Sequence, residues 1–170
     1  ELVTDSCVAE HFDNSFVLGL SVCYDLRFAG MYQCLRDMGA NILLVPSAFT
    51  KETGKAHWEV LLRARAIETQ SFVIAAAQVG AHHYRRTSYG NSLIISPWGE
   101  VLARLSGEDE GGEAAVVEIN TAEVSRVRSK MCVDQHSRFS SSQISAATAR
   151  ERYPPTSPRG RVSIGDLIFS

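Results

Sequence analysis

Several absences narrow what this 170-residue sequence can be. No apolar run approaches the roughly 20 residues that a helix needs to cross a bilayer, so no membrane association is expected. The 17 Lys and Arg are balanced by 19 Asp and Glu, leaving a net charge of −2. Nothing in that balance would draw in nucleic acid, and none is expected as a partner. Cysteines are few, at positions 7, 23, 34 and 132, and form neither a Cys-x-x-Cys pair nor a metal-ligand spacing. No metal site or cofactor is expected, and a reduced compartment fits best. There is no internal repeat. The first residue is Glu1 rather than methionine, which leaves any targeting segment out of view. A cytoplasmic placement is expected, with the mitochondrion as the alternative.

What is present is ordinary for a globular domain: 45% hydrophobic and 21% charged residues, enough for one sizeable core. Residues 1–15 read as loop. The apolar run 16–22 has the pattern of a strand buried on both faces. A helix is expected over 30–39, with Met31, Leu35 and Met38 at helical spacing and Gly39 at its C-terminal cap. Cys34 on that helix reads as packing. Residues 42–45 form a second buried strand, stopped by Pro46. A loop over 51–54 then leads into a helix from about 55 to 69. On it Glu59, Arg63, Arg65 and Glu68 read as one structural charge network, with Glu59 a possible support to a site.

Residues 72–77 form a third strand, ending at Gln78, Val79 and Gly80. Strands alternating with helices imply parallel pairing. Cys23, Ser47 and Gln78 would then lie together at one edge of the sheet. Residues 81–87 read as a solvated polar loop, and the adjacent His82 and His83 cannot share one face to bind a metal. Strands at 93–95 and 101–105 flank Pro97, Trp98 and Gly99 as a hairpin. An acidic turn over 108–113 precedes a strand over 114–119. Asn120 and Glu123 make a capping-box start for a helix to about Lys130. Residues 139–170 are rich in Ser, Arg and Pro, and are expected to be a weakly ordered tail after a domain spanning 1–138.

Everything is organised around Cys23. A thiol at the carboxyl end of a buried strand sits where open α/β sheets place their ligand crevices. Two readings stand: a nucleophile, or a small buried hydrophobe.

The residues Cys23, Tyr24, Asp25, Leu26, Arg27 and Phe28 resemble the nucleophile segment of the nitrilase, or carbon–nitrogen hydrolase, superfamily. The similarity is greatest to its Nit-type amidases, the branch that includes deaminated-glutathione amidase. Further blocks follow in register: 46–50, Thr53 with Gly54, 56–68, 75–80, 88–90 and 97–99. The resemblance covers about 19 to 138. It implies an α/β fold, the C-terminal part of a four-layer α-β-β-α sandwich. It implies an amidase that hydrolyses a small carboxylate-bearing amide, deaminated glutathione foremost, through a thioester on Cys23. The ω-amidases are the alternative substrate class. By the same resemblance the backbone N–H of Tyr24 donates to the oxyanion, and Arg27, Phe49 and Thr53 line the substrate pocket. A guanidinium there could grip a carboxylate through two parallel bonds; the alternative is that Arg27 pairs with Asp25 or a backbone carbonyl. The complete protein is expected to be a homo-oligomer.

In the family a glutamate base and a lysine precede the cysteine by many tens of residues. Here only 22 residues precede Cys23, none of them lysine, and Glu1 and Glu10 stand in no family motif. The family's Arg-Phe-Pro-Glu has become Arg27, Phe28, Ala29 and Gly30. The alternative to an enzyme is therefore a catalytically silent or truncated relative, acting only through its fold and oligomer contacts. A Cys23–His57 pairing of the papain type is a third reading. These residues alone are expected to be inactive.

Overall fold

The computed structural model describes residues 15–83, 86–107 and 112–136. The N-terminal loop up to residue 14, most of the acidic turn and the tail at 139–170 lie outside the described residues. Three short parallel strands, β1 (Leu18–Leu20), β2 (Ile42–Leu44) and β3 (Phe72–Ala75), are joined by helices α1 (Ala29–Asp37) and α2 (Lys51–Thr69). A hairpin of β4 (Val79–His83) and β5 (Arg86–Tyr89) stands apart as a two-stranded sheet. Strands β6 (Leu93–Ile95) and β7 (Val101–Arg104) return antiparallel, giving the main sheet the order β1-β2-β3-β6-β7. Helices α3 (Ala122–Lys130) and α4 (Val133–His136) follow.

The α/β class and the strand–helix alternation are as expected. One face of the sheet presents Leu43, Val45, Val73, Ala75, Leu93 and Ile95 to Tyr32 of α1 and to Trp58, Leu62 and Ala66 of α2, and this is the main core. On the opposite face a smaller cluster joins Ile42 and Phe72 to Val124 of α3.

Four expectations are corrected. The run 16–22 is not buried on both faces: β1 is an edge strand, and Phe16, Leu18, Leu20 and Val22 are each more than half exposed. A continuous apolar run cannot reveal whether both faces have a cover; here only Gly19 is buried, with Leu43 so close that a Cβ would meet it at 2.8 Å. The loop at 51–54 is the first turn of α2. Thr50 is its N-cap, and the Gly54 N–H donates to the Thr50 carbonyl at 2.7 Å. Gly54 is there for space, because a Cβ would stand 2.3 Å from Cγ of Tyr89.

Within the polar stretch 81–87, residues 81–83 and 86–87 are paired strand rather than loop; paired backbone compensates for residues with no apolar alternation. The stretch 114–119 forms no strand, and Val116 is 97% exposed. Its alternation is that of a strand, but among the described residues no strand pairs with it. Helix α3 begins beside the expected place but without the capping box: Thr121 is its N-cap, with no side-chain cap bond, and Asn120 Oδ1 accepts the Ala122 N–H at 2.9 Å. Among the described residues no helix is long and apolar enough to cross a membrane.

Candidate active site

The three parallel strands end along one edge, and the sharpest event there is at Cys23. The Ser21 N–H continues the ladder onto the Leu44 carbonyl (3.1 Å), and the Cys23 N–H reaches the Pro46 carbonyl (2.8 Å). At Cys23 itself φ is +45°, in the left-handed region. Such backbone costs a non-glycine residue about 1–3 kcal/mol and persists only where its surroundings over-determine it. A 3-10 helix, Cys23–Arg27, begins at once, so Cys23 is the elbow between strand and helix.

The elbow is tied at its start by Asp25. Its Oδ2 accepts the Val22 N–H at 2.9 Å, while the Asp25 N–H returns to the Val22 carbonyl at 3.0 Å. The Tyr24 N–H lies in the first turn, where a helix leaves its amides without internal partners. That leaves it able to donate to an oxyanion.

Cys23 is half-buried and opens into a cavity of about 470 Å³, the size of a small-molecule site. Val22, Pro46, Ser47, Ala48, Ala76, Ala77, Gln78 and Ser92 line it with Cys23. The expected convergence of Cys23, Ser47 and Gln78 on one edge is therefore what the fold produces. Ser47 and Gln78 are fixed by backbone bonds, Ser47 N–H to the Ala76 carbonyl (2.8 Å) and Gln78 N–H to the Ser47 carbonyl (2.9 Å). Ser92 was not legible in the sequence; its Oγ accepts the Ala77 N–H at 2.9 Å from a neighbouring hairpin. Among the described residues lining this cavity, none is Asp, Glu, His or Lys.

Arg27, Phe49 and Thr53 are not among the lining residues. Arg27 and Phe49 nevertheless meet: the guanidinium sits 5.3 Å from the Phe49 ring centre and 5.5 Å from that of Tyr24. Arg27 has no ion pair or hydrogen bond among the described residues, so the alternative of a pairing with Asp25 or a carbonyl is not realised. Phe49 is buried and packs on Trp58, ring centres 4.9 Å apart, so it serves the core as well as Arg27. Thr53 is half-buried in the first turn of α2, its Oγ1 3.0 Å from Thr50 Oγ1.

The charge network expected on α2 is two separate groups. Glu59 holds Arg104 at 2.5 Å and Arg63 at 3.9 Å, and Arg63 Nε donates to the Gly99 carbonyl at 2.9 Å. Glu59 is thus committed to the β7 side and does not line the cavity. Arg65 instead faces inward, to Glu68 and to the Leu26 carbonyl of the elbow helix. One signal could have found it: Trp58, Leu62, Arg65 and Thr69 recur at helical spacing, which puts an arginine on the buried stripe. His57 is exposed on α2 and absent from the cavity lining, so no Cys23–His57 dyad forms. His82 is not simply solvated, since its Nε2 lies 2.6 Å from Ser88 Oγ. Beneath the elbow, burial pushes the Tyr32 phenol above its ordinary pKa, partly offset by its 2.7 Å hydrogen bond with Ser21 Oγ.

The chain is similar in sequence and fold to known proteins. The chain is 54% identical to the deaminated glutathione amidase of Dictyostelium discoideum over 127 residues, covering 75% of this chain and 43% of that protein. It is 51% identical to the deaminated glutathione amidase of Homo sapiens over 121 residues, 71% of this chain and 36% of that protein. The crystal structure of the C. elegans NitFhit protein superposes with a TM-score of 0.65 at 48% identity, over 71% of this chain and 29% of that one. The chain spans less than half the length of these relatives. Residues 4–129 match the model of the carbon–nitrogen hydrolase family. With a cysteine elbow at the mouth of a cavity, on a sheet that superposes on a nitrilase fold, the chain belongs to the carbon–nitrogen hydrolase family.

Proposed function

We propose that this chain is the nucleophile-bearing portion of an amidase, and that its substrate is a small carboxylate-bearing amide, deaminated glutathione foremost. The observation that carries the reading is Cys23 held at φ +45° where the strand opens into the cavity. The thiolate is the attacking form of a cysteine, and attack on an amide carbonyl would give a tetrahedral oxyanion. The C–N bond would break as the proton taken from the thiol by a base passes to the nitrogen, releasing ammonia. The thioester left behind would be hydrolysed by water to the acid and the free thiol. The Tyr24 N–H is the donor that the elbow offers to that oxyanion. Arg27, half-buried beside two aromatic rings and without an anionic partner among the described residues, is the group to hold the substrate carboxylate. Phe49 keeps that guanidinium in place, and Thr53 completes the polar side.

The base and a cationic oxyanion partner are not among the cavity-lining residues, so activity depends on groups supplied from elsewhere. That same observation favours the second reading, a catalytically silent relative. A homo-oligomeric assembly and a cytoplasmic, or alternatively mitochondrial, placement belong to this proposal on family grounds alone.

Ammonia release from deaminated glutathione, and from an ω-amide for comparison, tests it in the longest form the coding sequence specifies. Turnover is expected with deaminated glutathione and lost in Cys23→Ala. Equal turnover in parent and Cys23→Ala would refute the nucleophile. The 170 residues on their own are expected to show no Cys23-dependent turnover, and comparable activity would place the base within them.

A further inference from the structure

We propose that Arg65 is a positioning residue for Cys23, the clamp that holds the elbow in its strained form; this deepens, and rests on, the amidase reading. Arg65 is 4% exposed, on the inward stripe of α2. Its Nε and Nη2 both donate to one acceptor, the Leu26 carbonyl, at 3.1 and 2.9 Å. Leu26 is wholly buried in the 3-10 helix that Cys23 begins. Its carbonyl is one of the last in that helix, where no amide is in place to satisfy it. A buried cation at this end also meets the negative pole of the short helix. Nη1 donates to Glu68 Oε2 at 2.9 Å, and the guanidinium lies 5.5 Å from the Tyr32 ring centre, which fixes the fork in orientation.

The elbow is thus held at two ends. Pro46 and Asp25 fix its start, and Arg65 fixes its finish from a different element. Between them Cys23 keeps a backbone conformation that it would leave if either end were released. Lysine cannot reproduce the clamp, because its ammonium is a compact point charge with freely rotating donors where Arg65 presents a rigid planar fork. Glu68 lies upstream in this chain of contacts: its loss leaves both bonds to Leu26 in place.

The test is site-resolved alkylation by iodoacetamide, read by mass spectrometry at Cys23 and at Cys34. Cys34 is a free, exposed cysteine on α1 and reports general loosening. No substrate is involved, so the clamp is tested even if the chain hydrolyses nothing; the amidase reading is tested separately by ammonia release. Arg65→Met is expected to change the Cys23 rate relative to Cys34 by about tenfold in either direction, because alkylation follows the access and environment that the elbow gives the thiol. Arg65→Lys is expected to fall between Arg65→Met and the parent, and Glu68→Gln to stay close to the parent. Where Arg65→Met does not fold, by circular dichroism, Arg65→Lys carries the comparison. An unchanged Cys23 to Cys34 ratio in the folded variant overturns the proposal. So does a parallel change at both cysteines, which would make Arg65 merely structural.

Discussion

Alanine at Gly54 and at Gly30 should move stability in opposite directions, although both glycines lie within helices. In an exposed helix interior, Gly→Ala gains about 0.8–1.0 kcal/mol, because alanine gives up less backbone freedom on folding. At Gly30, in the first turn of α1, an added Cβ meets nothing within 4 Å. Gly30→Ala is therefore expected to stabilise by about 0.5–1 kcal/mol. At Gly54 the same atom would lie 2.3, 2.4 and 2.6 Å from Cγ, Cβ and Cδ1 of Tyr89. An ordinary contact needs about 1 Å more, and Tyr89 cannot easily give it. Its N–H is bound to the Phe49 carbonyl at 2.8 Å, and its carbonyl accepts from Asn91 Nδ2 at 2.9 Å. Contacts this short put the overpacking cost in the upper part of the usual range, about 2–3 kcal/mol, which outweighs the propensity gain. The net expectation is a loss of about 1–2 kcal/mol, or about 2–8 °C in Tm at about 2–4 °C per kcal/mol for a chain of this size. Urea and thermal unfolding of the two variants beside the parent would read it. A Gly54→Ala protein as stable as the parent would show that the helix and the β4–β5 hairpin are not in hard contact.

Cys23→Gly should unfold at about 1 kcal/mol higher free energy than Cys23→Ala, since glycine accepts φ +45° without strain; equal stabilities in urea would mean that the elbow relaxes freely. For the proposed amidase activity, Arg27→Lys is expected to cost about 1–3 kcal/mol in kcat/KM on a carboxylate-bearing amide and much less on one without it. The same loss on both substrates would make Arg27 a structural residue. Tyr32 gives a pH signature. Its folded-state pKa is raised, mainly by burial, so the proton is held more tightly in the folded chain than in the unfolded one. Its contribution is then complete below the ordinary tyrosine value of about 10 and is lost as pH rises through the raised value. Tyr32→Phe should unfold with a shallower decline above pH 10, and identical slopes in the two proteins would remove Tyr32 as the cause.

How far the sequence could be read depended on whether the deciding contact was local. Helix α1, helix α3 and the β6–β7 hairpin carry their own periods and turn residues, and each appeared at or beside the expected place. The meeting of Cys23, Ser47 and Gln78 also follows from strand order alone. The start of α2 was hidden because glycine at position 54 signals a break locally, while its reason is Tyr89, 35 positions away. The β4–β5 hairpin was hidden because its stretch has no apolar alternation. Whether 16–22 and 114–119 were covered or paired depended on neighbours that periodicity does not name. In the site, Ser92 and Arg65 act through backbone groups distant in sequence, on Ala77 and Leu26, and such partners have no side-chain motif to announce them.

Helix α2 touches a different part of the molecule with nearly every turn. Gly54 receives Tyr89, Trp58 Nε1 donates to the Asn91 carbonyl at 2.7 Å, Arg63 to the Gly99 carbonyl and Arg65 to Leu26. These four stations are set by helical pitch. Deleting one residue between Gly54 and Arg65 would turn everything beyond it by about 100° and shift it by about 1.5 Å. All the later stations would then miss together. Exchange of outward residues such as Val60, which is well exposed, would disturb none of them. The helix therefore tolerates drift in composition but not in length. Across relatives, the stretch from Gly54 to Arg65 is expected to align without a gap, with insertions confined to the turns between strands.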